Sequence, residues 1–361
     1  MRVDIVDPSA YTLPYDHALC AALARAGADV RLVTSRFAYG DAPALGGYQI
    51  DERFYRFARG PAASQARRAL KAVEHVPDML GYRRSVDADV VHFQWLAMQW
   101  VDGFLLPRSR PVVLTAHDLL PREPRPGQAR AQAQLYEHAR AIVVHSEYGR
   151  EQLISGLGVD PSRVHVIRHG AFDHLAALAP APLPAELRAV QGPVVLFFGL
   201  LRPYKGLETL LEAWRGVEEA ELWIVGRPRM ELPPPPGPNV RFVPRFVSDP
   251  EVAALFRRTD VVVLPYTRTE RLDFSGVLAT ALAFGRPIVV SDVGGFSEVA
   301  SVGAARLVSP GDPDALRAAL VGLIADPGAR ERLGAAALAA ARGPYSWDTA
   351  ARETLGLYES L

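Results

Sequence analysis

Three hundred and sixty-one residues exceed one ordinary core, and at roughly 100–200 residues per domain they imply two domains. Forty Lys+Arg balance forty Asp+Glu, which argues against a global basic field for nucleic acid and against a global acidic one. With 49% hydrophobic and 22% charged residues, the composition is that of a packed chain rather than a disordered one.

The zero net charge hides an asymmetry. Lys71 and Lys205 are the only lysines, so nearly every other cation is an arginine. Cys20 stands alone, which excludes an intrachain disulfide and a Cys-based zinc site. No apolar run approaches the ~20 residues of a membrane span. The start, Met1-Arg2-Val3-Asp4-Ile5-Val6-Asp7, reads as a strand rather than a signal or transit peptide, so a cytoplasmic location is expected.

Short apolar runs alternate with helical patterns. In the first half, Val3–Val6, Asp29–Val33, Asp89–Phe93, Pro111–Ala116, Ala141–His145 and Arg163–Ile167 read as buried strands. His17–Ala26, stopped by Gly27, and Tyr148–Ser155, stopped near Gly156 and Gly158, read as helices between them. The Ala/Pro-rich run 177–185 cannot enter a sheet and reads as a linker, followed by a helical turn around Glu186–Val190. In the second half, Val194–Phe198, Leu222–Val225, Val240–Val243, Asp260–Leu264 and Pro287–Val290 read as strands. A last helical segment, Trp347–Leu361, follows the break at Gly343-Pro344. Strands separated by helices predict parallel sheets covered on both faces. The expected architecture is α/β, with two doubly wound Rossmann-like domains and ligands at the carboxyl ends of the strands.

Four stretches carry the chemistry. After Phe198-Gly199 a short loop holds Arg202 and Lys205, and a helix opens near Gly206. Two cations at a strand exit suit a diphosphate whose charge grows as its bond to a sugar breaks. Ser275 and Gly276 open a helix and can turn free N–H groups toward a phosphate. Ser291-Asp292-Val293-Gly294-Gly295 permits a tight turn after a strand, and Glu298 falls early in the next helix, where a carboxylate also commonly caps. Thr115-Ala116-His117-Asp118 sets His117 at a strand exit. His117, His92, His145 and His169 lack a compact metal-ligand spacing, so no metal is expected.

Together these stretches resemble the retaining glycosyltransferases of family 4, most strongly over about residues 194–310. The resemblance implies the GT-B architecture, two Rossmann-like domains facing a central cleft. It implies an acceptor-side domain at 1–175, a linker at 176–192, a donor domain at 193–345, and a C-terminal helix at 346–361 crossing back to the first. The segment GLLRPYKGLETLLEAW is similar to the family's donor-phosphate segment, which gives Arg202 and Lys205 to the diphosphate and Gly199 to the donor site. By the same match, backbone around Arg245, Phe246 and Val247 reads the base, and His117 lies by the transferred sugar. Ser275, Gly276, Val277 and Glu298 fall to the donor as well.

The implied reaction is metal-independent and retaining, needs no cofactor, and moves a sugar from a nucleotide-sugar, UDP- or GDP-linked, to an acceptor hydroxyl. Lipid-linked molecules, polysaccharides and natural products are the acceptor classes. Nucleic acid is not an expected partner.

The chain departs from the family at two positions. Aligned through Ala283-Phe284-Gly285, the usual pair of glutamates becomes Leu272 and Thr280. Thr280 offers one hydroxyl to a ribose where a carboxylate offers two acceptor oxygens. Asp273 and Glu270 are the candidates to replace the acid at Leu272. The loop after the first strand lacks the family's glycine-rich turn; Tyr15, Asp16 and His17 are its candidate acceptor contacts, with Asp16 alternatively a helix cap.

Arg53–Arg84 carries eight cations and two acids, interleaved with Phe54, Tyr55, Phe57, Leu70 and Val73. It reads as a solvated amphipathic helix, or as a surface for an anionic membrane or an anionic acceptor. Two rival functions stand beside glycosyl transfer: a non-catalytic relative or partner protein, motivated by Leu272 and Thr280, and a nucleotide-sugar epimerase of the same fold.

Overall fold

The computed structural model describes residues 1–37, 45–58, 64–121, 125–187, 190, 192–269 and 273–361. The chain forms two compact units. The first comprises Met1–Gly170, Asp273 and Trp347–Leu361; the second comprises Ala171–Thr269 and Phe274–Ser346. The division falls ahead of the predicted 176–192 linker. Helix Asp173–Ala177 packs in the second unit, where Arg257 donates to the carbonyls of Ala176 and Leu178 at 2.8 and 2.7 Å. Leu272 and Glu270 lie outside the described residues.

The first unit holds a seven-stranded parallel sheet among the described residues. Its strands are β1 (Arg2–Asp7), β2 (Asp29–Ser35), β3 (Gln49–Phe54), β4 (Val90–Phe93), β5 (Val112–Thr115), β6 (Ala141–Val144) and β7 (Val164–Val166). Their order is β3-β2-β1-β4-β5-β6-β7, so the winding reverses between β1 and β4. The second unit holds β8 (Val194–Phe198), β9 (Glu221–Val225), β10 (Val240–Val243), β11 (Val261–Leu264), β12 (Ile288–Ser291) and β13 (Arg306–Val308). Their order is β10-β9-β8-β11-β12-β13, reversing between β8 and β11. Central strands such as β4, β5, β6, β11 and β12 are buried along their whole length. That is why they read as unbroken apolar runs.

The two strands that the sequence pattern does not announce are β3 and β13. Both are sheet edges, and both are largely exposed: β3 spells QIDERF and β13 spells RLV. An edge strand lacks a neighbour on one side, so it need not be apolar.

Each sheet is sealed by its own core. In the first unit Phe54, Tyr82, Phe93, Tyr136 and Ile142 pack together. In the second, Trp214, Leu210, Ile224, Val263 and Leu320 do so. At roughly 1.5–3 kcal/mol per buried large apolar side chain, either cluster outweighs any single polar contact described below.

One helix begins earlier than its pattern implies. Pro14 sits in the first turn of helix Leu13–Arg25, where its missing N–H costs nothing. The predicted start at His17 therefore moves back by one turn. The predicted helix Tyr148–Ser155 runs as Glu147–Glu151 and continues as a wider π turn over Gln152–Gly156.

Candidate functional site

In the second unit the strand exits of β8 and β11 meet at the reversal of winding. Beyond β8, Gly199 takes φ 101° and a 3-10 turn runs over Pro203–Lys205. Gly206, at φ 71°, then opens helix Leu207–Ala213. Lys205 is only 5% exposed. Its Nζ donates to the Phe198 carbonyl at 3.2 Å and lies 5.4 Å from the centre of the Tyr266 ring. The glycines make room for this loop. A Cβ on Gly199 would stand 2.8 Å from Lys205 Nζ, and one on Gly206 would stand 1.8 Å from the Pro265 carbonyl oxygen. Arg202 is half-buried just before the turn, and its carbonyl accepts from the Lys205 N–H at 3.0 Å.

The segment after β11 is tied to this loop, because Thr267 donates through N–H and Oγ1 to the Tyr204 carbonyl at 2.8 and 3.1 Å. Tyr266 and Ser275 share a hydrogen bond of 3.2 Å through their hydroxyls. Ser275 is the N-cap of helix Gly276–Ala283, with Gly276 exposed and Val277 half-buried. Thus a buried ammonium and the positive end of a helix occur in one unit, linked through Tyr266.

Thr280 is buried, and its hydroxyl donates to the Gly276 carbonyl at 2.8 Å, inside its own helix. Arg245 is exposed and pairs with Glu251 at 2.6 Å. That pairing holds Glu251 down at about 2. Phe246 is exposed and Val247 buried. Glu298 is half-buried in helix Phe296–Ser301, which follows Gly294 at φ 56°. A separate cavity of about 520 Å³ opens beyond β11, β12 and β13, lined in part by Arg268, Asp292, Leu307 and Ser309.

The first unit gathers rings. Tyr15 is the hub: His117 lies edge-on to it at 4.6 Å between ring centres, and His169, Trp347 and His145 lie at 4.9, 4.9 and 5.5 Å. His145 Nδ1 donates to the Ile167 carbonyl at 2.9 Å, leaving Nε2 as an acceptor 3.3 Å from His117 Nδ1. His117 Nε2 donates to Gln94 Oε1 at 3.2 Å, which leaves its Nδ1 facing His145 Nε2. Burial pushes His117 well down, His145 to about 4, and His92 and His169 to about 3, so all four are neutral at pH 7. Spacing alone hid this cluster because its members come from four separate strand exits and a terminal helix. No group of three or more His, Cys, Asp or Glu among the described residues is arranged to hold a metal ion.

Two sequence expectations are corrected here. Tyr15, Asp16 and His17 do not lie on an open loop; the earlier helix start turns all three inward, at 5%, 0% and 2% exposure. Asp16 is not the helix cap, which is Thr12. Instead the Thr12 hydroxyl bridges Asp16 and Asp7, at 3.1 and 3.3 Å. Burial raises both acids, and the Asp7 charge raises Asp16 further. His17 is hydrogen-bonded to the Tyr48 hydroxyl.

Asp273, expected at the donor sugar, is buried in the first unit, where its carboxylate accepts from the His145 N–H and the Ser146 hydroxyl. It packs so closely on helix Glu147–Glu151 that a Cβ on Gly149 would fall 2.6 Å from Oδ1.

Two doubly wound parallel sheets are the architecture of the GT-B class. Residues 15–171 match the model described as Glycosyltransferase Family 4, and residues 192–326 match Glycosyl transferases group 1. The D-inositol 3-phosphate glycosyltransferase of a Nocardioides species is 31% identical over 319 residues, covering 75% of this chain and 67% of the relative. A namesake from Catenulispora acidiphila is 30% identical over 317 residues, covering 76% and 72%. Among solved structures, sucrose-phosphate synthase from Thermosynechococcus elongatus superposes with a TM-score of 0.74 at 19% identity, covering 100% of this chain and 98% of that one. HepE of Anabaena, in complex with UDP-glucose, superposes with a TM-score of 0.71 at 19% identity, over the full length of both chains. The chain belongs to family 4 of the glycosyltransferases.

No helix among the described residues is long and apolar enough to cross a membrane.

Proposed function

We propose that this glycosyltransferase moves a sugar from a nucleotide-sugar to an acceptor hydroxyl with retention of configuration, and without a metal ion. The observation that carries the reading is Lys205, an ammonium at 5% exposure for which Gly199 clears the space. A charge enclosed this way is preorganised: it stabilises a departing diphosphate without waiting for side chains to rearrange, and low surrounding polarity strengthens it. Arg202 and the N–H groups at Ser275–Gly276 add to the same charge. The donor is a UDP-sugar in the first instance, since HepE is seen with UDP-glucose.

The acceptor side is drawn from the first unit, where His117 presents a neutral ring at a strand exit. The departing phosphate oxygen takes the acceptor proton, so no separate general base is required. The inositol phosphate relatives favour a polyol acceptor.

A thermal-shift screen of UDP-, GDP-, ADP- and dTDP-sugars tests the donor, because ligand binding stabilises the native state. NMR of the anomeric proton of the product tests retention, and full turnover in EDTA tests metal independence. An inverted product, or activity restored only by a divalent cation, overturns the corresponding part. One rival keeps a specific footing. Thr280 spends its proton inside its helix and Asp273 is committed within the first unit, which suits a chain that binds nucleotide without turnover. Turnover with any acceptor eliminates it.

A further inference from the structure

Helix Gln65–Ser85 of the first unit carries Arg67 and Lys71 one turn apart, hence on one face. Arg67 is buried, and its Nε donates to the Ala58 carbonyl at 3.1 Å. Lys71 is half-buried; its Nζ lies 3.5 Å from the Ser9 carbonyl and 4.6 Å from the centre of the Tyr55 ring. Among the described residues neither cation is paired with a carboxylate. The nearest acids are engaged elsewhere: Glu74 accepts from the Phe57 N–H at 3.0 Å, and Asp7 is wrapped by the N–H groups of Ser9, Tyr11 and Thr12. Burial, with the Arg67 charge, pushes Lys71 down to about 8. The charges of Asp7 and Glu74 act on Lys71 from a distance, and two partly desolvated cations that no carboxylate contacts gain from an anion that joins them.

Their surroundings are rigid. Tyr55 holds φ 53°, a region that non-glycine residues rarely enter. Its hydroxyl meets His75 Nδ1 at 2.7 Å, and His75 Nε2 donates to Asp102 at 2.5 Å. A buried Asp102–His75 pair thereby fixes the Tyr55 ring beneath Lys71. Ser9 follows β1 and Tyr55 follows β3, so the cations stand at the carboxyl edge of the sheet, where this architecture binds ligands.

We propose that Arg67 and Lys71, walled by Ser9 and Tyr55, form a phosphate-binding subsite that takes the phosphate group of a phosphorylated acceptor. The acceptor role rests on the glycosyl-transfer reading above; the anion site does not. The phosphate has two possible sources, a dissolved sugar phosphate or a lipid headgroup, since Phe57, Leu70 and Val73 are exposed beside the cations, at 77%, 43% and 73%.

The scarcity of lysine supplies the test. Reductive methylation of the full chain with a 13C label keeps each ammonium charged and gives signals from Lys71, Lys205 and the amino terminus; Lys71→Gln assigns the first. Inorganic phosphate and glucose 1-phosphate are titrated in solution. Phosphatidylcholine vesicles with and without phosphatidylinositol form the second arm, and UDP reports on Lys205. The Lys71 midpoint is expected to rise from about 8 by about one pH unit when phosphate binds. A response to the dissolved phosphates supports the site and assigns a soluble acceptor; a response only to phosphatidylinositol vesicles supports it and assigns a headgroup. A Lys71 signal unmoved in both arms overturns the site, even where Lys205 responds to UDP. A silent Lys205 beside a responsive Lys71 sinks the donor reading alone.

Discussion

The strand exits of the two units use opposite electrostatics. In the second unit a lysine is enclosed at its own loop, with Gly199 and Tyr266 against Lys205. In the first unit the exits hold histidine rings that burial pushes down and keeps neutral, and two acids, Asp7 and Asp16, that burial pushes up. The difference teaches where each unit's chemistry can come from. One exit supplies a fixed charge, and the other supplies hydrogen bonds from histidine rings that stay uncharged near neutral pH.

That contrast breaks most directly at Lys205. Lys205→Ala is expected to lower kcat by about 10²–10³-fold, the usual loss when one preorganised donor is removed, with the thermal midpoint moved little. Near-normal turnover would remove the charge from the mechanism. Gly199→Ala should reproduce part of that loss, about tenfold or more, because its Cβ would crowd Lys205 Nζ at φ 101°. Unaltered kinetics in that variant would mean the lysine is not held by this loop.

The neutral exit is tested by pH. With His145 near 4 and His92 and His169 near 3, kcat should show no histidine inflection between pH 6 and 8. An inflection near 6.5 would assign a charged histidine to the reaction. The sign for stability is definite as well. A histidine lowered in the folded state takes up its proton mainly when unfolded, so stability falls as pH drops below about 6.5.

Two smaller effects sharpen the packing of the first unit. Gly149→Ala should cost about 1–3 kcal/mol, since the new methyl would strike the Asp273 carboxylate, and Gly149→Ala combined with Asp273→Gly should recover part of it. Equal unfolding midpoints for wild type and Gly149→Ala would contradict the contact. Asp16→Asn should raise the midpoint at pH 8 more than at pH 5. Asp16 is raised on folding, so its contribution is present at low pH and is lost as pH rises through its folded value. A pH-independent effect would show that Asp16 is not raised on folding.

Much of the second unit was legible in the linear sequence because its signals are local. An apolar strand, a glycine, a cation and a helix start follow one another within fourteen residues from Val194 to Leu207. The first unit was less legible. Tyr15, His117, His145, His169 and Trp347 are scattered along the chain, and only the parallel sheet brings their strand exits together. Edge strands β3 and β13 escaped for a related reason, since a strand with one neighbour carries no unbroken apolar run.

The sequence by itself determined the alternation of buried strands and amphipathic helices, the two α/β halves and the glycine-framed Lys205 loop. Each of these is set by residues that are neighbours in the chain. Tertiary structure alone decided the rest. It placed Asp273 against Ser146 and Gly149, turned Tyr15, Asp16 and His17 inward, and set Lys71 over Tyr55 beside Ser9. Those outcomes depend on which surfaces meet when sheets and helices pack, and on the loss of water that follows. Burial changes the charge and hydrogen-bonding duty of a side chain without changing its identity, so no reading of residue types along the chain can supply it.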